Sequence, residues 1–345
     1  MKRMFAVLLA LALILACAGC AEKATEAQEP TNEEPVAETE MEPVHLTLSE
    51  VTHSVFYAPQ YVALEKGFFA EQGLDVELIN GGGADKVMTS VLTGEAEIGF
   101  CGPEASIYVL NQGKADPPVI FAQMTKRDGS FLVGRENTDF SWEQLKGKTI
   151  IGGRAGGVPE MTLEYVMRQN GVTPGTDAAV DTTVQFNMMA GAFTGGNGDY
   201  VTLFELTATE VERNGQGYIL TSIGAESGEI PYTAYFASQS YIQAHSDVIQ
   251  RFTNAIAKAL QWVQTHDAAE TAEAIAPQFP DTSVETLTTV VERYLDIDAW
   301  NDTPVMMQEA LERLETVMET AGELEHSAWV DFETLVDNSF AKQAK

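Results

Sequence analysis

The sequence predicts an α/β protein of two similar units followed by a helical tail. Three observations carry this reading. From residue 45, short strand-like runs alternate with helical segments, an order that favours a largely parallel sheet with helices on both faces. Near residue 148 the same pattern restarts, and from about residue 235 the composition becomes helical to the C-terminus.

Taken in order, residues 45–51 (HLTLSEV) alternate like a strand, and Pro59 suits the first turn of a helix over 58–66. A second strand covers 75–79, and Gly81-Gly82-Gly83 leads into a helix near 84–93. A third strand at 97–100 runs through Gly102-Pro103 into a helix over 103–112, and a fourth covers 119–124. In the second unit a strand at 148–152 is followed by the loop Arg154-Ala155-Gly156-Gly157 and a helix over 158–170, with Pro159 near its start. Further strands are expected at 182–186, 200–204 and 218–223. In the tail, Ser246 is placed to cap a helix whose Val248, Ile249, Phe252, Ile256, Ala259, Leu260 and Val263 share one face. Met307, Leu311, Leu314, Val317, Met318 and Ala321 mark another. Open α/β sheets bind ligands at the carboxyl ends of their strands. The loops at 52–57, 81–84, 101–104, 153–158 and 186–188 hold that position.

The ends and the charge narrow the function. Lys2 and Arg3 precede an apolar run over 5–16, of signal-peptide length and short for a membrane span. Ala18-Gly19-Cys20 resembles the end of a bacterial lipobox, which makes residues 1–19 the signal and Cys20 the lipidated residue; cleavage before Cys17 is the weaker alternative. Residues 20–44 follow as an acidic, disordered tether, with eight Glu, one Lys, three Pro and no aromatic residue in 21–44. The whole chain carries −31; the +2 of the leader and the −7 of the tether leave −26 on the body. That excludes a nucleic-acid partner, which needs a basic footprint, and makes a covalent lipid the only expected membrane contact. Cys101 is the one cysteine of the body, so no internal disulfide or thiolate metal site is expected.

Four stretches carry a resemblance: YVALEKGFFAEQGLDVEL, VLTGEAEIGF, LKGKTIIGG and IPYTAYFASQSYIQAHSDVIQRFTNAIAKALQWVQTH. They resemble the NMT1-like solute-binding proteins, a family that includes the thiamine-pyrimidine, sulfonate, taurine and nitrate receptors of ABC importers. The resemblance runs from about residue 46 to the C-terminus, and the pattern at 61–76 is its most specific part. It implies a type II periplasmic-binding-protein fold: two lobes, each with a doubly wound sheet, joined by two hinge segments, here near 125–130 and 230–234. Lobe 1 is then 45–128 plus 234–345, and lobe 2 is 129–233. The expected partners are a small solute, trapped as the lobes close, and a permease with its ATPase. A monomer without cofactor is expected.

Each candidate site residue has a plainer role beside the functional one. Phe56 and Tyr57 can stack on a planar ligand or pack between helix and sheet, and the resemblance places their loop, with His53 and Ser54, on the cleft. His53 would then offer a hydrogen bond, since no partner stands at metal-ligand spacing. Gly83 and Gly102 bring backbone close to the cleft ahead of helices, without matching a phosphate-binding motif. Glu104 can face ligand or simply complement its helix dipole. Arg154 with Gly156, Gly157 and Val158 is the best anion candidate, a guanidinium beside a helix N-terminus, unless Arg154 only pairs with Glu160. Glu205 sits where the thiamine-pyrimidine receptors resemble this chain and direct an acid at the ligand, which a carboxylate can hold through paired N–H donors; a solvated helix-start acid is the alternative. Asn187 and Tyr232 complete the expected wall.

Two classes of function remain. The fold family includes pyrimidine synthases that consume a histidine and pyridoxal phosphate, but these resemble one another in a cysteine-rich motif that a body with Cys101 alone lacks. A receptor, not an enzyme, is expected. Among receptors, the acids Glu104, Glu160 and Glu205 against one base, Arg154, favour a nitrogen heterocycle such as a thiamine precursor, with sulfonate, taurine or nitrate as the alternative.

Overall fold

The computed structural model describes residues 42–345. The expected signal peptide, Cys17, Cys20 and all but the end of the tether lie outside the described residues.

Ten strands form two five-stranded sheets. The first contains β1 (Val44–Glu50), β2 (Leu74–Asn80), β3 (Ile98–Cys101), β4 (Pro118–Thr125) and β10 (Thr233–Ser238), in the order β2-β1-β3-β10-β4. The second contains β5 (Ser130–Gly134), β6 (Thr149–Ile151), β7 (Ala179–Asp181), β8 (Tyr200–Phe204) and β9 (Tyr218–Ser222), in the order β7-β6-β8-β5-β9. The two orders are the same pattern. In each sheet the chain winds outward from a central strand in both directions, and one antiparallel strand is inserted. That strand, β5 or β10, is the first to follow a crossing between the sheets. Neither inserted strand was expected from the βαβα rhythm: β5 follows β4 with no helix between them, and β10 follows β9 after only the short helix Ile223–Ser227.

The crossings are 126–129, between β4 and β5, and the segment before β10. They are tied to each other: Ile230 N–H donates to Lys126 O at 2.9 Å and Tyr232 N–H to Thr125 O at 3.1 Å. Gly224 is required here, since a Cβ on it would lie 2.0 Å from the Asp128 carbonyl oxygen, a backbone atom with no freedom to retreat. The tail also crosses the first sheet's edge, where Lys126 N–H donates to Ala299 O and Gln123 N–H to Pro304 O.

Most helices start and stop where the sequence places them. The helix Ser246–Thr265 buries Val248, Ile249, Phe252, Ile256, Ala259, Leu260 and Val263, the whole apolar face. Ser246 is its first residue and not a side-chain cap; His245 holds that position. The helix Gln308–Ala321 likewise buries Leu311, Leu314, Val317 and Met318, while Met307 precedes it and is exposed. The strand expected at 182–186 is displaced to β7. Asp181 accepts from Thr183 N–H at 2.9 Å and its hydroxyl at 2.7 Å, closing a side-chain turn that ends the strand. No helix among the described residues is long and apolar enough to cross a membrane.

Candidate functional site

In both sheets the winding direction reverses beside the central strand, between β1 and β3 and between β6 and β8. The crevice at the carboxyl ends of such strands is the preferred ligand position. Four loops meet there: 51–57, 102–103, 152–157 and 205–206. They approach from opposite lobes. Ser54 Oγ donates to Glu205 O at 3.2 Å, and Tyr108 OH, one turn into the helix Glu104–Asn111, donates to Gly156 O at 3.1 Å.

The first loop is more occupied than the sequence suggests. Glu50, buried at the end of β1, accepts from Gln60 Nε2 at 2.8 Å and Tyr61 OH at 2.9 Å through Oε2, and from His53 Nδ1 at 2.8 Å through Oε1. His53 Nε2 lies 2.9 Å from Gln278 O. Both ring nitrogens therefore face oxygen acceptors. The hydrogen bond to Glu50 raises the His53 pKa against the opposing effect of burial. His53 thus bridges Glu50 and Gln278 with both ring nitrogens engaged inside the protein.

Phe56 packs among the rings around the crossings. It is fully buried, with ring centroids 5.7 Å from Phe204, 5.8 Å from Tyr232 and 5.0 Å from Tyr294. Gly129 of the crossing lies so close that a Cβ there would sit 2.6 Å from the Phe56 ring. Phe56 plugs the hinge. Tyr57 packs edge-on to Phe100 at 4.6 Å, and Ser54 caps the Phe56 N–H at 3.2 Å.

Glu205 is buried, and both its oxygens are engaged: Oε1 pairs with Arg293 and Oε2 accepts from Thr209 N–H at 2.9 Å. Arg293, from the tail helix Val284–Asp296, also pairs with Glu212 at 3.0 Å. Glu205 is thus an inter-lobe latch and not an open acceptor.

What the crevice does leave unpartnered is the buried Glu104 Oε2; Asp128 Oδ2 and Tyr232 OH, also buried, have each other as neighbours. Burial pushes Glu104 up to about 7, opposed by its own N–H, by Arg154 and by the N–H groups of Ala105 and Val158. Burial likewise pushes Asp128 up to about 7, opposed by Ser130, whose N–H donates to Oδ1 at 2.6 Å. The Tyr232 hydroxyl stands beside that carboxyl and lowers its pKa as a hydrogen-bonding neighbour. Its phenol is raised by burial first, then by the charges of Asp128, Tyr57 and Glu104 and by its hydrogen bond to Asp128.

Arg154 is exposed and forms no ion pair among the described residues. Glu160 does not pair with it; Glu160 Oε2 accepts from Gly156 N–H at 3.2 Å instead. Gly157 is the N-cap of the helix Val158–Gln169, and Val158 is its buried first residue. Gly83 caps the helix Ala84–Thr93 at the rim. Asn187 is exposed in the turn Phe186–Met188, whose Phe186 ring is 5.6 Å from Phe204. No metal-binding cluster occurs among the described residues.

Sequence reasoning missed Asp128, Phe204, Arg293 and Tyr294. Asp128 lies inside the expected crossing, where a lone acid before Gly129-Ser130 was the available signal. Arg293 and Tyr294 come from the tail, with nothing local to connect them to the crevice.

The NMT1/THI5-like family model matches residues 55–270. The chain belongs to this family. It is 44% identical over 297 residues to "Putative binding protein YtlA" of Bacillus subtilis (strain 168), covering 86% of this chain and 88% of that one. Among solved structures it superposes on the alkanesulfonate-binding protein SsuA from Xanthomonas axonopodis pv. citri bound to MOPS, with a TM-score of 0.69 at 13% identity, covering 88% of this chain and all of that one. The nitrate-binding protein NrtA from Synechocystis PCC 6803 gives a TM-score of 0.68 at 15% identity, covering 88% of each chain. At these identities the two structures bear on the fold alone, which is that of type II periplasmic binding proteins.

Proposed function

We propose that this NMT1/THI5-like chain is the extracytoplasmic solute-binding component of an ABC importer. It captures a small nitrogen heterocycle, of the thiamine-precursor pyrimidine type, between its lobes and delivers it to a permease. The single observation that carries the ligand class is the buried, unpartnered Oε2 of Glu104, with the Asp128–Tyr232 pair as a second buried acid beside the crossing. A ligand presenting N–H donors satisfies the Glu104 oxygen, and a buried acceptor left unmatched costs about 1–3 kcal/mol. The neighbouring aromatic rings of Tyr57, Phe204 and Tyr232 suit a planar ring.

A second reading, a sulfonate, taurine or nitrate receptor, draws on Arg154 at a helix N-terminus and on the names of SsuA and NrtA. Against it stand three acids around that same helix end: Glu104, Glu160 and Glu323, whose Oε2 would lie 3.1 Å from a Cβ on Gly156.

A thermal-shift screen with vitamins, aminopyrimidines, sulfonates and nitrate separates the readings, because a ligand that binds the native state raises the melting temperature. Stabilisation by an aminopyrimidine supports the proposal, and stabilisation by the anions alone defeats it. The protein acts as a lipid-anchored monomer held at Cys20 and catalyses no reaction. Metabolic labelling with palmitate tests the anchor: Cys20→Ser should lose the label, and retained label would place the anchor elsewhere. A Schiff-base absorbance band with turnover on adding pyridoxal phosphate would overturn the receptor reading.

A further inference from the structure

Two helix N-termini lie close together at the crevice, and neither is capped by a side chain. The helix Glu104–Asn111 follows Pro103, and the helix Val158–Gln169 follows Gly157. The N–H groups of Glu104 and Val158 find no backbone acceptor. Tyr108 OH, bonded to Gly156 O at 3.1 Å, ties the first helix to the loop that starts the second. Arg154 lies on that loop, its Nη2 4.0 Å from where a Cβ on Gly157 would be. Two dipole ends, free N–H donors and a guanidinium make the composition of an anion-binding cradle.

The cradle already contains a carboxylate. Glu104 is 3% exposed, and its side chain folds back over Gly102, so that a Cβ on Gly102 would lie only 2.0 Å from Oε2. Oε2 makes no hydrogen bond. The group is held by the field of the two helix ends and Arg154, which oppose the effect of its burial.

We propose that Glu104 sets the specificity of the cleft. It is an internal carboxylate seated in the cradle, which bars sulfonate- and nitrate-class anions and turns its unpartnered oxygen to N–H donors of a neutral or cationic solute. Gly102 is the positioning residue that leaves room for it. The proposal rests on the reading that this crevice is the ligand site, and it predicts a switch of class on removing one charge.

The test is isothermal titration of wild type, Glu104→Ala, Glu104→Gln and Glu104→Ala/Arg154→Ala with ethanesulfonate and with 4-amino-5-hydroxymethyl-2-methylpyrimidine. Glu104→Gln keeps the side-chain volume, so the test survives if the alanine variant folds poorly. Ethanesulfonate should bind either single variant at least about tenfold more tightly than wild type, and the gain should vanish in the double variant. The pyrimidine should weaken by a similar factor in both single variants. Folded single variants that take up ethanesulfonate no better than wild type overturn the role of Glu104, whatever the pyrimidine does. A wild type that ignores the pyrimidine defeats the heterocycle reading alone, and the ethanesulfonate gain still decides the carboxylate's role.

Discussion

Glu50 and His53 pair a buried acid with an imidazole at 2.8 Å, and removing the ring leaves that acid short of a hydrogen-bond partner. We expect His53→Ala to lower unfolding free energy by about 1–3 kcal/mol while leaving solute affinity within about twofold of wild type; a large loss of affinity without loss of stability would return His53 to the ligand. Asp128 and Tyr232 should behave the opposite way. Asp128→Asn and Tyr232→Phe should each weaken the aminopyrimidine about tenfold, roughly 1.4 kcal/mol, in calorimetry. The same groups give a pH dependence. Glu104, Asp128 and Glu160 are raised to about 7, and His53 is raised above its ordinary value. Each therefore binds more protons folded than unfolded. Its stabilising contribution is complete below the unfolded pKa and is lost as pH rises through the folded one. The melting temperature of the ligand-free protein should fall between pH 5 and pH 8, by up to about 1.4 kcal/mol of stability per pH unit for each group. Asp128→Asn should flatten the slope; a curve that rises over that interval contradicts the assignment.

At the scale of elements, the crossings are the least tolerant part of the chain. Gly224→Ala sets a Cβ 2.0 Å from a backbone oxygen of the first crossing and should cost about 1–3 kcal/mol in urea unfolding. Gly191, in the helix Met189–Thr194 with nothing within 4 Å of its Cβ position, is the control; Gly191→Ala should be neutral or stabilise by about 0.5–1 kcal/mol. Equal effects at the two sites would mean the crossing is softer than it is drawn here. The amphipathic helices and the strands with clear boundaries were legible in the sequence because their periodicity is local. β5 and β10 were not, since each enters its sheet beside strands far away in the chain. The candidate site was legible as loops but not as contacts: Gly102, Glu104 and Gly157 sit at strand-to-helix corners, whereas the engagement of His53 by Gln278 and of Glu205 by Arg293 depends on residues 225 and 88 positions away.

For the molecule as a whole, the two lobes are joined by the crossings and latched by Arg293, which grips Glu205 and Glu212 of lobe 2. Arg293→Ala should loosen the ligand-free closed form and enlarge the radius of gyration seen by small-angle X-ray scattering, with solute restoring a compact profile; an unchanged profile would remove the latch. The family, the repeated sheet order and the converging loops make a receptor of this design. The proposed ligand class rests on the buried Glu104 oxygen between the lobes. The most direct test is a calorimetric titration of the wild-type protein with 4-amino-5-hydroxymethyl-2-methylpyrimidine against ethanesulfonate and nitrate. The account predicts saturable one-to-one binding of the pyrimidine with a Kd of about 1 μM or tighter, near −8.2 kcal/mol, and no heat from the anions; saturable binding of either anion with none of the pyrimidine would contradict it.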